Sequence, residues 1–182
     1  MHEPSKQVVV FFVGPDMCGK TEISKAVAAA TGIPYFKASS EHDSYLTSKT
    51  SRQAAFMNQL RYADPRVFDL LKQTGHSVIF DRGFPCEWAY SKVMNRPTDQ
   101  EMLFHMDDQW STLNTKVVLC RRSSYSGIVD DLDSSIKEEI LKKLDAAYHE
   151  FACWTSCSVY NLNVDDEDLN REVAEVVKYI SG

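Results

Sequence analysis

Gly14, Gly19, Lys20 and Thr21 have residue types and a spacing that suit one kind of chemistry. In the segment VGPDMCGKT they fit the pattern G-x-x-x-x-G-K-[ST]. Glycines let backbone N–H groups close around a phosphate, and a helix starting there adds positive potential. Pro15, Met17, Cys18 and the two glycines would form the ATP-binding loop itself. Lys20 would bridge the β- and γ-phosphates as a point charge, and the Thr21 hydroxyl would face Mg²⁺. A second charged tip, VIFDRG, ends an apolar run with Asp81, an acid suited to the Mg²⁺ shell. Capping or ion pairing with Arg82 is an ordinary alternative role for Asp81, compatible with the first. Asp16 is the odd residue, a carboxylate inside a loop built to hold anions.

These residues need elements to position them, and the chain alternates strand and helix signals. Residues 7–13 read as a buried strand, 19–30 as a helix closed by Gly32, and 33–39 as a second short strand. Residues 53–62 have helical periodicity, and Pro65 opens a further helix that Gly75 ends. Strands are expected over 76–83, 115–122 and 157–164. Helices are expected over 87–94, 99–112, 134–152 and 165–180, the last capped by Asp165 or Asp166. The pattern implies an α/β fold, a three-layer sandwich with a five-stranded parallel sheet. In such sheets ligands lie beyond the carboxyl ends of the strands, where this chain places Gly14–Thr21, Asp81–Arg82 and Arg121–Arg122.

With 182 residues, 43% of them hydrophobic, the chain suits a single domain over 1–182. A formal net charge of −6 argues against broad nucleic-acid binding, though a local basic cleft is compatible with it. The five cysteines form no tight C-x-x-C pair, so reduced, mostly buried thiols are expected rather than a zinc site. The longest apolar run, 8–13, is far short of a membrane span, and residues 1–7 lack a signal-peptide core, so a cytoplasmic location is expected, the host cytoplasm if the protein is viral. No N-K-x-D segment is present, which removes a regulatory GTPase from consideration and leaves a small transferase.

The segments VGPDMCGKT and FDRGFPCEWAYSKV resemble the phosphate loop and the D-R-[YF]-x-x-S-x-x-A-Y segment of the thymidylate kinases. Asp81, Arg82, Ala89 and Tyr90 match, Gly83 stands where an aromatic is usual, and Cys86 replaces the Ser. LLKQTGHSVIFDR has the same helix–Gly–strand spacing, and LDAAYHEF resembles the family's helix after the lid. The likeness runs along nearly the whole chain and is nearest to short bacteriophage members of the deoxynucleoside monophosphate kinase group. It implies a nucleoside monophosphate kinase-like P-loop fold with a short lid at about 122–134. It also implies that Asp16 faces the acceptor sugar or phosphate, that Arg82 binds the acceptor phosphate, and that Tyr90 packs on the sugar and favours deoxyribose. Base recognition would come from Phe56, Arg61, Tyr62 or Arg66, in a stretch about one turn shorter than usual. The lid is poorly basic, so Arg121 and Arg122 would stabilise charge on the transferring group beside Lys20 and Arg82. Family members are commonly dimers.

The implied activity is phosphoryl transfer from ATP, with Mg²⁺, to a pyrimidine deoxynucleoside 5′-monophosphate: dTMP or a modified dUMP or dCMP. A first alternative keeps the chemistry and changes the acceptor to 5-hydroxymethyluracil within phage DNA, with Gly83 and the bare lid widening the acceptor site. A second is a nucleotide-binding module without catalysis.

Overall fold

Strand β1 (Val9–Val13) is buried along its whole length, as its β-branched and aromatic composition requires of a central parallel strand. The structure, a computed structural model, describes residues 7–37, 55, 57–128 and 137–182. Its sheet is five-stranded, in the order β2-β3-β1-β4-β5, with β2 at Tyr35–Lys37, β3 at Val78–Asp81, β4 at Thr115–Arg121 and β5 at Ser158–Asn163. All four pairings are parallel.

Side chains alternate across β1, and the alternation makes the layers. Val9, Phe11 and Val13 enter one core with α2 (Asp64–Thr74), α3 (Phe84–Val93), α4 (Gln100–Ser111) and most of α5 (Glu138–Trp154). Val10 and Phe12 enter the other, against α1 (Lys20–Thr31) and α6 (Leu169–Ser181). Phe11 stacks on Phe80 at 4.9 Å and meets Trp110 and Phe84 edge-on, so the first core is aromatic at its centre strands. Each such fully buried side chain contributes about 1.5–3 kcal/mol by burial alone.

Local chemistry explains the boundaries. Gly32 closes α1 in the left-handed region, its amide donating to the Ala28 carbonyl, and Gly75 does the same for α2. Helix α3 begins at Phe84, earlier than periodicity predicts, because Pro85 occupies its first turn without a needed N–H. Asp99 caps α4 by accepting from the Met102 amide at 3.0 Å. The cap of α6 is Asp168, not Asp165 or Asp166. Asp165 instead accepts from the Ser123 amide, and Asp166 takes the Arg171 guanidinium. Lys137 is extended, so α5 starts at Glu138, whose acid and that of Glu139 suit a helix N-terminus. The expected 53–62 helix lies partly outside the described residues, and Gln59–Ala63 form a π-helical turn: Leu60 is buried while Arg61 and Tyr62 face out. No helix among the described residues is long and apolar enough to cross a membrane.

Candidate phosphoryl-transfer site

β1, β3 and β4 end side by side, which gathers the three charged tips at one edge of the sheet. After β1 the chain turns sharply at Gly14, φ 136°, where a β-carbon would lie 2.2 Å from the Cys120 carbonyl oxygen. Only glycine fits that approach. Met17 also lies in the left-handed region, at φ 62°, and its side chain is exposed while Pro15 and Cys18 point inward. Lys20 is 5% exposed, and its ammonium donates to the Pro15 carbonyl, so the cation lies against the loop. Burial pushes the Cys18 thiol up, only partly opposed by Lys20, so it is not a ready nucleophile.

Asp81 is fully buried at the tip of β3. Its Oδ2 accepts from the Thr21 hydroxyl at 2.6 Å and from the Tyr35 hydroxyl at 2.9 Å. Its Oδ1 is buried and has no hydrogen-bond partner among the described residues. A hydroxyl has one donor and two lone pairs, so Thr21, with its proton directed at Asp81, keeps acceptor capacity for a cation. No cluster of three or more His, Cys, Asp or Glu among the described residues would hold a metal unaided. The Thr21 hydroxyl and the Asp81 carboxylate, whose Oδ1 is buried and orphaned, fit Mg²⁺, which takes most of its ligands from phosphates and water. Tyr35 carries no signal in the linear sequence. It is read only once β2 lies beside β3, and burial, then Asp81, pushes its phenol upward.

The anomalous carboxylate has two partners from the next element. Arg82 Nη2 donates to Asp16 Oδ1 at 2.9 Å, and the Tyr90 hydroxyl donates to Asp16 Oδ2. Asp16 and Arg82 side chains are 14% and 17% exposed, so the pair is poorly screened. Burial raises the Asp16 carboxyl, but the charges of Arg82 and Lys20 and the Tyr90 hydroxyl outweigh it and hold it below its usual range. Burial pushes the Tyr90 phenol well up, so it stays a donor. Arg82 has φ 73°, an uncommon conformation for a side-chain-bearing residue, and its amide donates to the Phe12 carbonyl at 2.9 Å. That backbone turn directs the guanidinium back over the phosphate loop. Arg96, which motif reading passed over, lies with its guanidinium 5.8 Å from the Tyr90 ring centroid, as does Arg82. Beneath them Glu87 is 1% exposed, and burial raises its carboxyl to about 7 despite Arg96.

Gly83 backs onto the first core. A β-carbon there would lie 2.7 Å from the Phe11 ring, so the aromatic of the first core fills the space.

The remaining candidates divide. Arg122 Nε donates to the Met17 carbonyl at 3.0 Å, resting on the phosphate loop, and its Nη2 meets Glu167 at 2.8 Å. Arg121 turns away. It makes a two-bond pair with Asp145 of α5, at 2.8 and 2.6 Å. Tyr125 ties the two sides together: its hydroxyl donates to Asp145, accepts from the Arg122 amide and lies 3.8 Å from Cys18 Sγ. Asp145 and Tyr125 were not legible as partners, although Asp145 is an acid beside the buried Leu144 in LDAAYHEF. Arg61 lies 4.0 Å from Asp99 and lines a cleft of about 620 Å³ with Met57 and the start of α4. Arg66 is exposed on α2. Neither hydrogen-bonds nor ion-pairs with Asp16 or Tyr90, and Phe56 and residues 129–134 of the expected lid lie outside the described residues.

No protein-family model matches the sequence, and no curated protein is similar to it at a significant level. Solved structures are. A deoxyadenosine kinase from M. mycoides, solved with dATP, superposes with TM-score 0.62 at 20% identity, over 97% of this chain and 100% of that one. The YorR protein of Bacillus subtilis, in complex with phosphorylated GDP, gives 0.60 at 14% identity, over 94% and 95%. A thymidylate kinase from Ehrlichia chaffeensis gives 0.57 at 16%, over 98% and 100%. The described residues have the parallel α/β fold shared with these proteins, the fold of P-loop nucleotide kinases.

Proposed function

We propose that this protein transfers the γ-phosphoryl group of ATP to the 5′-phosphate of a pyrimidine deoxynucleoside monophosphate. The observation that carries the reading is the half-buried Asp16–Arg82–Tyr90 cluster, which joins the phosphate loop to the turn after β3 and to α3. A phosphate loop alone suits any nucleotide. A carboxylate, a guanidinium and a phenol beside it suit a second substrate with a hydroxyl, a phosphate and a sugar face. Arg82 pairs with the acceptor phosphate, Asp16 accepts from a sugar hydroxyl, and the Tyr90 ring crowds the sugar.

In the reaction an oxygen of the acceptor phosphate attacks the γ-phosphorus, the bond to the bridging oxygen breaks, and ADP leaves. The acceptor is already an anion, so no strong base is required, and positioning and charge neutralisation do the catalysis. Lys20 neutralises the donor phosphates, and Thr21 and Asp81 would hold Mg²⁺, which supplies further charge neutralisation when bound. Arg122, on the Met17 carbonyl, is the lid-base cation nearest the loop, while Arg121 is engaged by Asp145.

The test is an acceptor panel with labelled ATP: dTMP, dCMP and dUMP, then thymidine and deoxycytidine, then DNA containing 5-hydroxymethyluracil. Label in a deoxynucleoside diphosphate is expected. Label in a monophosphate made from thymidine, label in DNA, or ATP binding with no transfer would each replace this reading.

A further inference from the structure

Asp81 Oδ2 receives two hydroxyl protons, one from the phosphate loop and one from outside it. Tyr35 approaches from β2, 46 residues away in sequence, and its half-buried ring also faces the Lys25 ammonium at 5.8 Å. Two donors on one oxygen fix the carboxylate's rotation, and they leave Oδ1 as the orphaned atom. A carboxylate with only the Thr21 bond would rotate about it, and the Thr21 lone pairs would move with it.

We infer that Tyr35 is a positioning residue for divalent-cation binding: its hydroxyl locks the Asp81 carboxylate and, through it, the orientation of Thr21. This rests on the reading of Thr21 and Asp81 as the cation-holding pair. Partners that orient metal-binding groups change metal affinity by about 10–100-fold when removed. A single neutral hydroxyl on an oxygen that keeps its second donor belongs at the lower end.

The experiment titrates MgCl₂ against binding of an ATP analogue with a nitrogen bridge between the β- and γ-phosphates, so no turnover enters the readout. Tyr35→Phe keeps the ring and its contact with Lys25. The Mg²⁺ midpoint is expected to rise about 10-fold, with affinity for the metal-free analogue and the melting temperature unchanged. An unmoved midpoint, or equal loss of metal-free and metal-dependent binding, overturns the inference, the latter pointing to a merely structural role. If Tyr35→Phe does not fold, Tyr35→Met is titrated with the same expectations. Thr21→Ala separates the two levels of the argument. If it raises the midpoint and the Tyr35 variant does not, Tyr35 alone is misassigned. If Thr21→Ala also leaves the midpoint unmoved, the cation-holding pair is misassigned as well.

Discussion

Two arginine-bearing strand ends flank the phosphate loop, and they use their charge differently. At the end of β3, Arg82 meets a carboxylate of the loop itself, with a phenol on the other carboxylate oxygen. At the end of β4, Arg121 makes its two-bond pair with Asp145, a helix residue behind the loop, and Arg122 reaches an exposed Glu167. The first arrangement pairs a guanidinium with a carboxylate of the loop, a partner that an acceptor anion would replace under the proposed function. The second ties Arg121 to a helix, while Arg122 keeps its hydrogen bond to the Met17 carbonyl of the loop. Position beyond a parallel strand is therefore necessary for a site but not sufficient. What decides is whether the counter-charge belongs to the site or to the scaffold.

The comparison breaks most clearly at the residue both sides share. Lys20→Ala is expected to lower turnover by about 10³-fold or more, with circular-dichroism melting unchanged, and retained turnover would remove the scheme. The β3 side is tested next. Asp16→Asn should lower kcat/KM for the acceptor by about 100-fold while ATP-analogue affinity stays within about twofold, read by steady-state kinetics and direct binding. Equal damage to both would dissolve the distinction between the two sides. Asp16 is also held below its usual range, so its ion pair stabilises the fold above the ordinary carboxylate value and is lost as pH falls through the lowered one.

The β4 side predicts opposite signatures at adjacent residues. Arg121→Lys loses the two-bond geometry and should cost about 1 kcal/mol of stability, partial exposure limiting the effect, with turnover little changed. Arg122→Lys should leave melting nearly unchanged and raise the KM for ATP a few-fold. A reversal of that pattern would give Arg121 back to the chemistry. The last effect, on stability against pH, concerns Glu87, which lies near Arg96. Its folded value of about 7 lies above its ordinary 4.5, so the folded state holds the proton more tightly. Stability is full below the ordinary value and declines as pH rises from about 4.5 to about 7, then levels. Glu87→Gln should flatten that decline in melting temperature, by roughly 5 °C over the interval.

Much of this was legible before any fold was seen. Gly14 to Thr21, between an apolar run and an amphipathic one, specify a strand–loop–helix because only that context uses their backbone freedom. The alternation of buried runs with helices specified a parallel sheet, and Gly32 and Gly75 marked helix ends by the same left-handed requirement that the structure meets. The cap of the last helix was less legible. Asp165, Asp166 and Asp168 are equivalent in propensity, and only the Ser123 amide and the Arg171 guanidinium, brought in by the fold, engage the first two.

By itself the sequence determined the phosphate loop, the charged strand ends and the oddity of Asp16, because these depend on local backbone requirements and on period, while Arg82 and Tyr90 became acceptor-site candidates through the resemblance to the thymidylate kinases. Only the tertiary structure decided which arginine faces the loop, that Phe11 fills the space beside Gly83, and that Tyr35 stands on Asp81. Those are contacts between residues 46 to 105 positions apart, and nothing in the local chain distinguishes a side chain that meets such a partner from one that meets water.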